Sequence, residues 1–167
     1  MSDLRRDPPG TGDERAMLLA YLEYQRDTLA SKCAGLDDEQ LRRRAVDPSP
    51  LSLLGIVRHA AEVERSWFRQ RVAGESVECR WIREDDMDAE FDHVDDADVG
   101  EALGAWAEER QAAARIVAAR SLDDTFEHGT RGTLSMRWLL LHMIEEYARH
   151  NGHADLLRER IDGSTGA

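Results

Sequence analysis

LSMRWLLLHMIEEYARHNGHADLLRERI, residues Leu134–Ile161, decides the fold, and inside it runs His142-x3-Glu146-x3-His150-x2-His153. An α-helix turns about 100° per residue, so steps of four, eight and eleven residues stay within one narrow sector. Leu139, Met143, Leu157 and Ile161 share that sector, with Trp138 and Leu156 on one flank and Tyr147 on the other. Three imidazoles and a carboxylate therefore occupy the middle of the face that such a helix buries. One unsatisfied buried polar group costs roughly 1–3 kcal/mol, and an unpaired charge costs more. These groups need partners, and a divalent metal satisfies several at once.

Further helical patterns precede this one. Residues 13–34 carry Met17, Leu18, Tyr21, Leu22, Leu29 and Cys33 near helical period, with Asp13 as a cap and Gly35 past the end. Asp37-x-x-Gln40 has the form of a capping box opening a short helix through Arg44, and Asp47-Pro48-Ser49-Pro50 reads as a turn. A second long helix is expected from 49–52 to Val72, ended by Gly74. It places Gly55, Ile56, His59, Val63, Ser66, Trp67 and Gln70 on one face. Gly55 and Ala60 are small enough to let another helix approach.

Residues 75–97 form an acidic crossover with Trp81 and Phe91 as isolated anchors, and a link this long implies a lid or a packed surface loop. Its Asp85-Asp86-x-Asp88-x-Glu90 run lacks the glycine and terminal glutamate of an EF-hand loop, so a solvated charge run is the expectation. Asp98–Arg120 reads as a third long helix with Leu103, Trp106, Ala107, Ile116 and Val117 as its contacts. Residues 128–132 read as loop, Thr133 or Ser135 caps the last helix, and Gly163 closes it. Four long helices, one short helix and a long crossover predict an all-α protein. The expected architecture is a four-helix bundle over residues 13–163, between tails at 1–12 and 164–167.

The chain has 167 residues and a net charge of −12, so phosphate backbones are repelled on average and no nucleic-acid partner is expected. The basic triplet Arg42-Arg43-Arg44 reads as a solvated helix end. No apolar run approaches the roughly 20 residues of a membrane span, and MSDLRRDPPGTGDE has no signal-peptide core, so a cytoplasmic protein is expected. Cys33 and Cys79 are too few for a disulfide framework. Lys32 is the only lysine among 22 basic residues, an arginine bias typical of GC-rich genomes. Four tryptophans crowd one core, which favours a homodimer.

Of the six histidines, His93 and His128 fall in polar loops and read as surface groups. His59 alone on an apolar face reads as a hydrogen-bonded core histidine, and Glu146 with His150 equally as a surface pair. Their coincidence favours metal ligation: two helices each centre a buried face on ionisable residues of the types that bind Zn²⁺.

The pattern LLGIVRHAAEVERSWF at 53–68, with VAGE at 72–75 and LSMRWLLLHMIEEYARHNGHADLLRERIDG at 134–163, resembles the DinB-like family of bacterial metal-binding four-helix bundles. Within it, the C-terminal motif is similar to the branch containing mycothiol-dependent S-transferases and the N-terminal domain of mycothiol-dependent maleylpyruvate isomerase. The resemblance implies a three-residue site of His59, Glu146 and His150, with glutamate where many members carry a third histidine. Zn²⁺ is the expected ion, with Ni²⁺, Mn²⁺ or Fe²⁺ as alternatives. His142, His153 and Glu62 are expected behind the ligands or along a cavity, Asp155 is structural, and Cys79 is a remote ligand candidate.

Activation of a mycothiol-type thiol as thiolate, for detoxification of a small electrophilic substrate, is the activity the resemblance implies. A metal-dependent isomerase or hydrolase, and a non-catalytic metal-binding stress protein, are the competing expectations.

Overall fold

A computed structural model describes residues 5–165, so parts of the expected tails, residues 1–4 and 166–167, lie outside the described residues. Helix α1 spans Glu14–Cys33, started by Asp13, whose side chain accepts from Ala16 N. The capping box of Asp37 and Gln40 opens α2, Asp38–Arg42. Ser52 caps α3, Leu53–Glu64, which continues unbroken as a π-helix over Arg65–Val72. The crossover contains the short α4, Ala89–Asp92, and Asp98 caps α5, Val99–Ala118. Ser135 caps α6, Met136–Asp162, and Gly163 ends it in the left-handed conformation at φ 79°, where a side chain would be strained.

Helix α1 packs along α6 and α3 along α5, with α3 also meeting α6. Leu22, Leu29, Ile56, Phe68, Leu139, Met143 and Leu157 meet in the shared core. Polar ties reinforce the α1–α6 seam: Asn151 donates to the Gln25 carbonyl, Arg158 to the carbonyls of Lys32 and Ala34, and Lys32 pairs with Asp155 at 2.7 Å. The protein is thus predominantly helical, and no helix among the described residues is long and apolar enough to cross a membrane.

Several expectations need correction. Residues flanking the 128–132 loop form a hairpin, β1 (Thr125–His128) against β2 (Gly132–Ser135), with Phe126 opposite Leu134. Four-residue strands are too short to show alternation in the sequence, and only Phe126 is buried. On α5, Leu103 and Ala107 are exposed, because the buried stripe runs through Ala102, Ala105, Glu109 and Ala113, where alanines give a weak hydrophobic signal. Tyr21 on α1 is 45% exposed, and Leu156 on α6 faces outward. The four tryptophans do pack within one chain. Trp67 and Trp106 are buried, and Trp81 and Trp138 lie partly buried against the core, so crowding gives no reason for a second copy.

The close approach anticipated at Gly55 is made by α4. A Cβ there would stand 3.2 Å from the Phe91 ring and 3.4 Å from its Cα. Gly55→Leu is expected to cost about 1–3 kcal/mol by overpacking and to push α4 off α3. A thermal melt reads the loss; an unchanged melting temperature would contradict it.

Candidate metal centre

Helix α3 presents His59 from mid-helix, and α6 presents Glu146 and His150 one turn apart, so two packed helices fix all three side chains. Glu146 Oε1 lies 3.0 Å from His59 Nε2 and 3.2 Å from His150 Nε2. One donor atom from each residue falls within 4.8 Å of the others. The His59 and His150 rings stand 4.6 Å apart. On its other side His59 Nδ1 is 3.1 Å from Glu90 Oε1, and the Phe91 ring stacks on the imidazole at 4.9 Å. Leu29, Ile56, Ala60, Val63 and Tyr147 complete a small apolar cavity of about 10 Å³ beside the triad, room for one water-sized body.

The electrostatics suit a cation. Burial opposes a charge on His59, but hydrogen bonds and attraction from Glu146 and Glu90 outweigh it and raise its pKa to about 9. Hydrogen bonds from His150 and His59 hold the Glu146 carboxyl far below the usual range, against the opposing effect of burial. A proton on His59 thus occupies the place a metal would compete for. His150 Nδ1 is buried without a protein partner. Two imidazoles and a carboxylate are a donor set suited to Zn²⁺ and neighbouring divalent ions, and three donors leave a coordination position open. The residues fit the ion.

The profile of the mycothiol S-transferase family matches residues 17–163. The chain belongs to that family. Comparison with curated proteins returns no match. The matched span of this mycothiol S-transferase family member runs from the first turn of α1 to the glycine that ends α6, so it contains the whole triad.

The other sequence candidates are placed differently. His142 is not brought to the triad: its ring stacks on Trp138 at 4.9 Å and meets Trp67 edge-on, because the tryptophans fill the space one turn before Glu146. His153 does come close, its ring 5.3 Å from that of His150, with Nδ1 buried and unpartnered. Burial, His150 and Arg149 lower its pKa.

Glu62 does not orient His59. Three residues further on is about 60° back around the helix, and from that flank Glu62 reaches the crossover. There it accepts from the Trp81 and Ile82 amides at 2.5 and 3.3 Å. The carboxylate on the far nitrogen of His59, Nδ1, is Glu90 instead, which an acidic run hid in the sequence. His93 is exposed and pairs with Asp86 at 2.7 Å, but His128 ends a strand and stacks on Trp67 at 5.1 Å. Cys79 is exposed and apart from the triad.

Proposed function

We propose that the protein is a divalent-metal-dependent S-transferase, which joins a low-molecular-weight thiol of the mycothiol type to small electrophiles in detoxification. Its four long helices are read as a four-helix bundle, with a zinc-class ion held by His59, Glu146 and His150. The observation that carries the proposal is the convergence of those three donors beside an apolar cavity, in a member of the mycothiol S-transferase family.

When bound, the ion supplies positive charge that lowers the pKa of a thiol towards neutrality. The chain's own contributions are structural and electrostatic. Two helices hold the donors before the ion arrives, so little reorganisation is needed. Leu29, Ile56 and Val63 line the inner side of the triad and Phe91 covers the His59 ring, so charges there interact more strongly than in bulk. The net reaction balances as a substitution. The sulfur–carbon bond forms as the bond to the leaving group breaks, the leaving group keeps that electron pair, and the thiol proton passes to solvent.

The test begins with untagged protein and elemental analysis. About one divalent ion per chain is expected, lost in Glu146→Ala and His150→Ala because each removes a third of the donor set. Metal-loaded protein is then expected to consume a chlorobimane only when thiol is present. Absence of metal even after reconstitution would overturn the proposal. Full loading without thiol conjugation would leave a non-catalytic metal protein.

A further inference from the structure

The crossover sends a carboxylate to His59 from outside the triad. Glu90, on α4, is 2% exposed, and its Oε1 sits 3.1 Å from His59 Nδ1. Its Oε2 is buried without a partner. A carboxylate accepts and does not donate, so Nδ1 carries the hydrogen of this bond. Arg58 lends positive charge nearby, yet its Nη1 donates to the His93 carbonyl at 2.5 Å. A buried carboxylate satisfied on one oxygen contributes little stability by itself. It becomes favourable when positive charge lies across the imidazole, a proton on Nε2 or, more strongly, a divalent ion in its place.

We infer that Glu90 is the positioning residue for His59. By accepting from Nδ1–H it fixes the tautomer and ring plane so that Nε2 faces the triad, and it ties the crossover to occupancy of the metal site. The inference rests on the metal assignment proposed above. A carboxylate on the far nitrogen both orients a ligating imidazole and strengthens it as a base. Binding free energies are reciprocal, so whatever docked α4 adds to ion affinity, the ion returns to the docking of α4. Phe91, stacked on the same ring, holds its plane from the neighbouring residue of α4.

The test measures Zn²⁺ affinity by chelator competition in the wild type, Glu90→Ala, Glu90→Gln and Arg44→Ala. Amide exchange over residues 89–94 is followed with and without Zn²⁺. Arg44 is the control because it anchors the same crossover, through Asp95 at 2.6 Å and the Asp92 carbonyl at 2.8 Å, without touching His59. Glu90→Ala is expected to weaken Zn²⁺ binding about 10–100-fold, the usual effect of losing such a partner. Glu90→Gln, whose amide oxygen still accepts, falls between, and Arg44→Ala keeps wild-type affinity. Zn²⁺ slows exchange at 89–94 in the wild type and not in Glu90→Ala.

Wild-type affinity in Glu90→Ala, or equal weakening in Arg44→Ala, overturns the inference while leaving the metal site standing. A wild type that binds no Zn²⁺ overturns both. If Glu90→Ala does not fold, Glu90→Gln decides: wild-type affinity there also overturns it.

Discussion

Glu64→Ala is expected to destabilise the protein by about 3–5 kcal/mol, the cost of removing one partner from a buried ion pair. Glu64 is completely buried, and both its oxygens are used. Arg26 donates through Nε to Oε1 at 2.7 Å and through Nη2 to Oε2 at 2.6 Å. Tyr147 Oη donates to Oε1 at 2.8 Å and accepts from Trp106 Nε1 at 2.7 Å. Burial, and then the charge of Glu64, push the Tyr147 hydroxyl well above its ordinary pKa, so it stays a donor. One carboxylate therefore ties α1, α3, α5 and α6 together.

Without it, the Arg26 guanidinium, 3% exposed, keeps only the half-exposed Glu23 at 2.5 Å. The loss corresponds to a fall in Tm of roughly 6–20 °C for a chain of this size. The double replacement Arg26→Met with Glu64→Leu is expected to recover most of it, because no charge is then stranded. Thermal melts of the two variants separate stranded charge from lost packing. Equal losses in both would show that the contacts, not the uncompensated guanidinium, carry the effect.

That network also shows where the sequence stops being informative. Caps and glycines are local chemistry, and Asp13, Asp37, Ser52, Asp98, Ser135 and Gly163 mark the helix boundaries as the residue types suggest. The α6 wheel was informative for the same reason: its apolar stripe is interrupted by groups that need partners, and two of them, Glu146 and His150, meet His59.

Helix α3 yields to such reading only in part: its period marks the face that carries Ile56 and His59, but Arg58, Glu62 and Glu64 are buried as well. It packs on α5, α6 and the crossover at once, so burial extends beyond the face that its period marks. Long-range pairs such as Arg26 with Glu64, or Glu109 with Arg65 and Arg80, depend on which helices become neighbours. Glu90 is the extreme case. Nothing in an acidic run distinguishes the one carboxylate that turns inward.

The metal-free protein is expected to lose stability as pH rises from about 6.5 to above 9, and the zinc-loaded protein is expected to gain resistance over the same range. Glu146 and Glu90 raise His59 from an ordinary 6.5 to about 9 in the fold. A raised folded pKa gives stabilisation that is complete below the unfolded value and disappears as pH climbs through the folded one. At about 1.36 kcal/mol per pKa unit, discounted for partial exposure, the loss is on the order of 2–3 kcal/mol. The lowered pKa of Glu146 is the same ion pair seen from its other end in that window, and counts once.

Burial moves two other groups out of the window. His153 has a lowered pKa and changes charge below it, while burial pushes the Cys33 thiol up to about 12. Zinc requires the Nε2 lone pair, so loading at pH 7 must release the His59 proton, and affinity rises with pH until that proton is gone. Calorimetry in two buffers of different ionisation enthalpy reads the release directly, and about one proton per ion is expected. Glu146→Gln removes both the ligand charge and the partner of the imidazolium. It should abolish tight binding, lower the His59 pKa seen by NMR, and flatten the pH dependence of the metal-free melt. Zinc uptake without proton release would place the ion away from His59 Nε2.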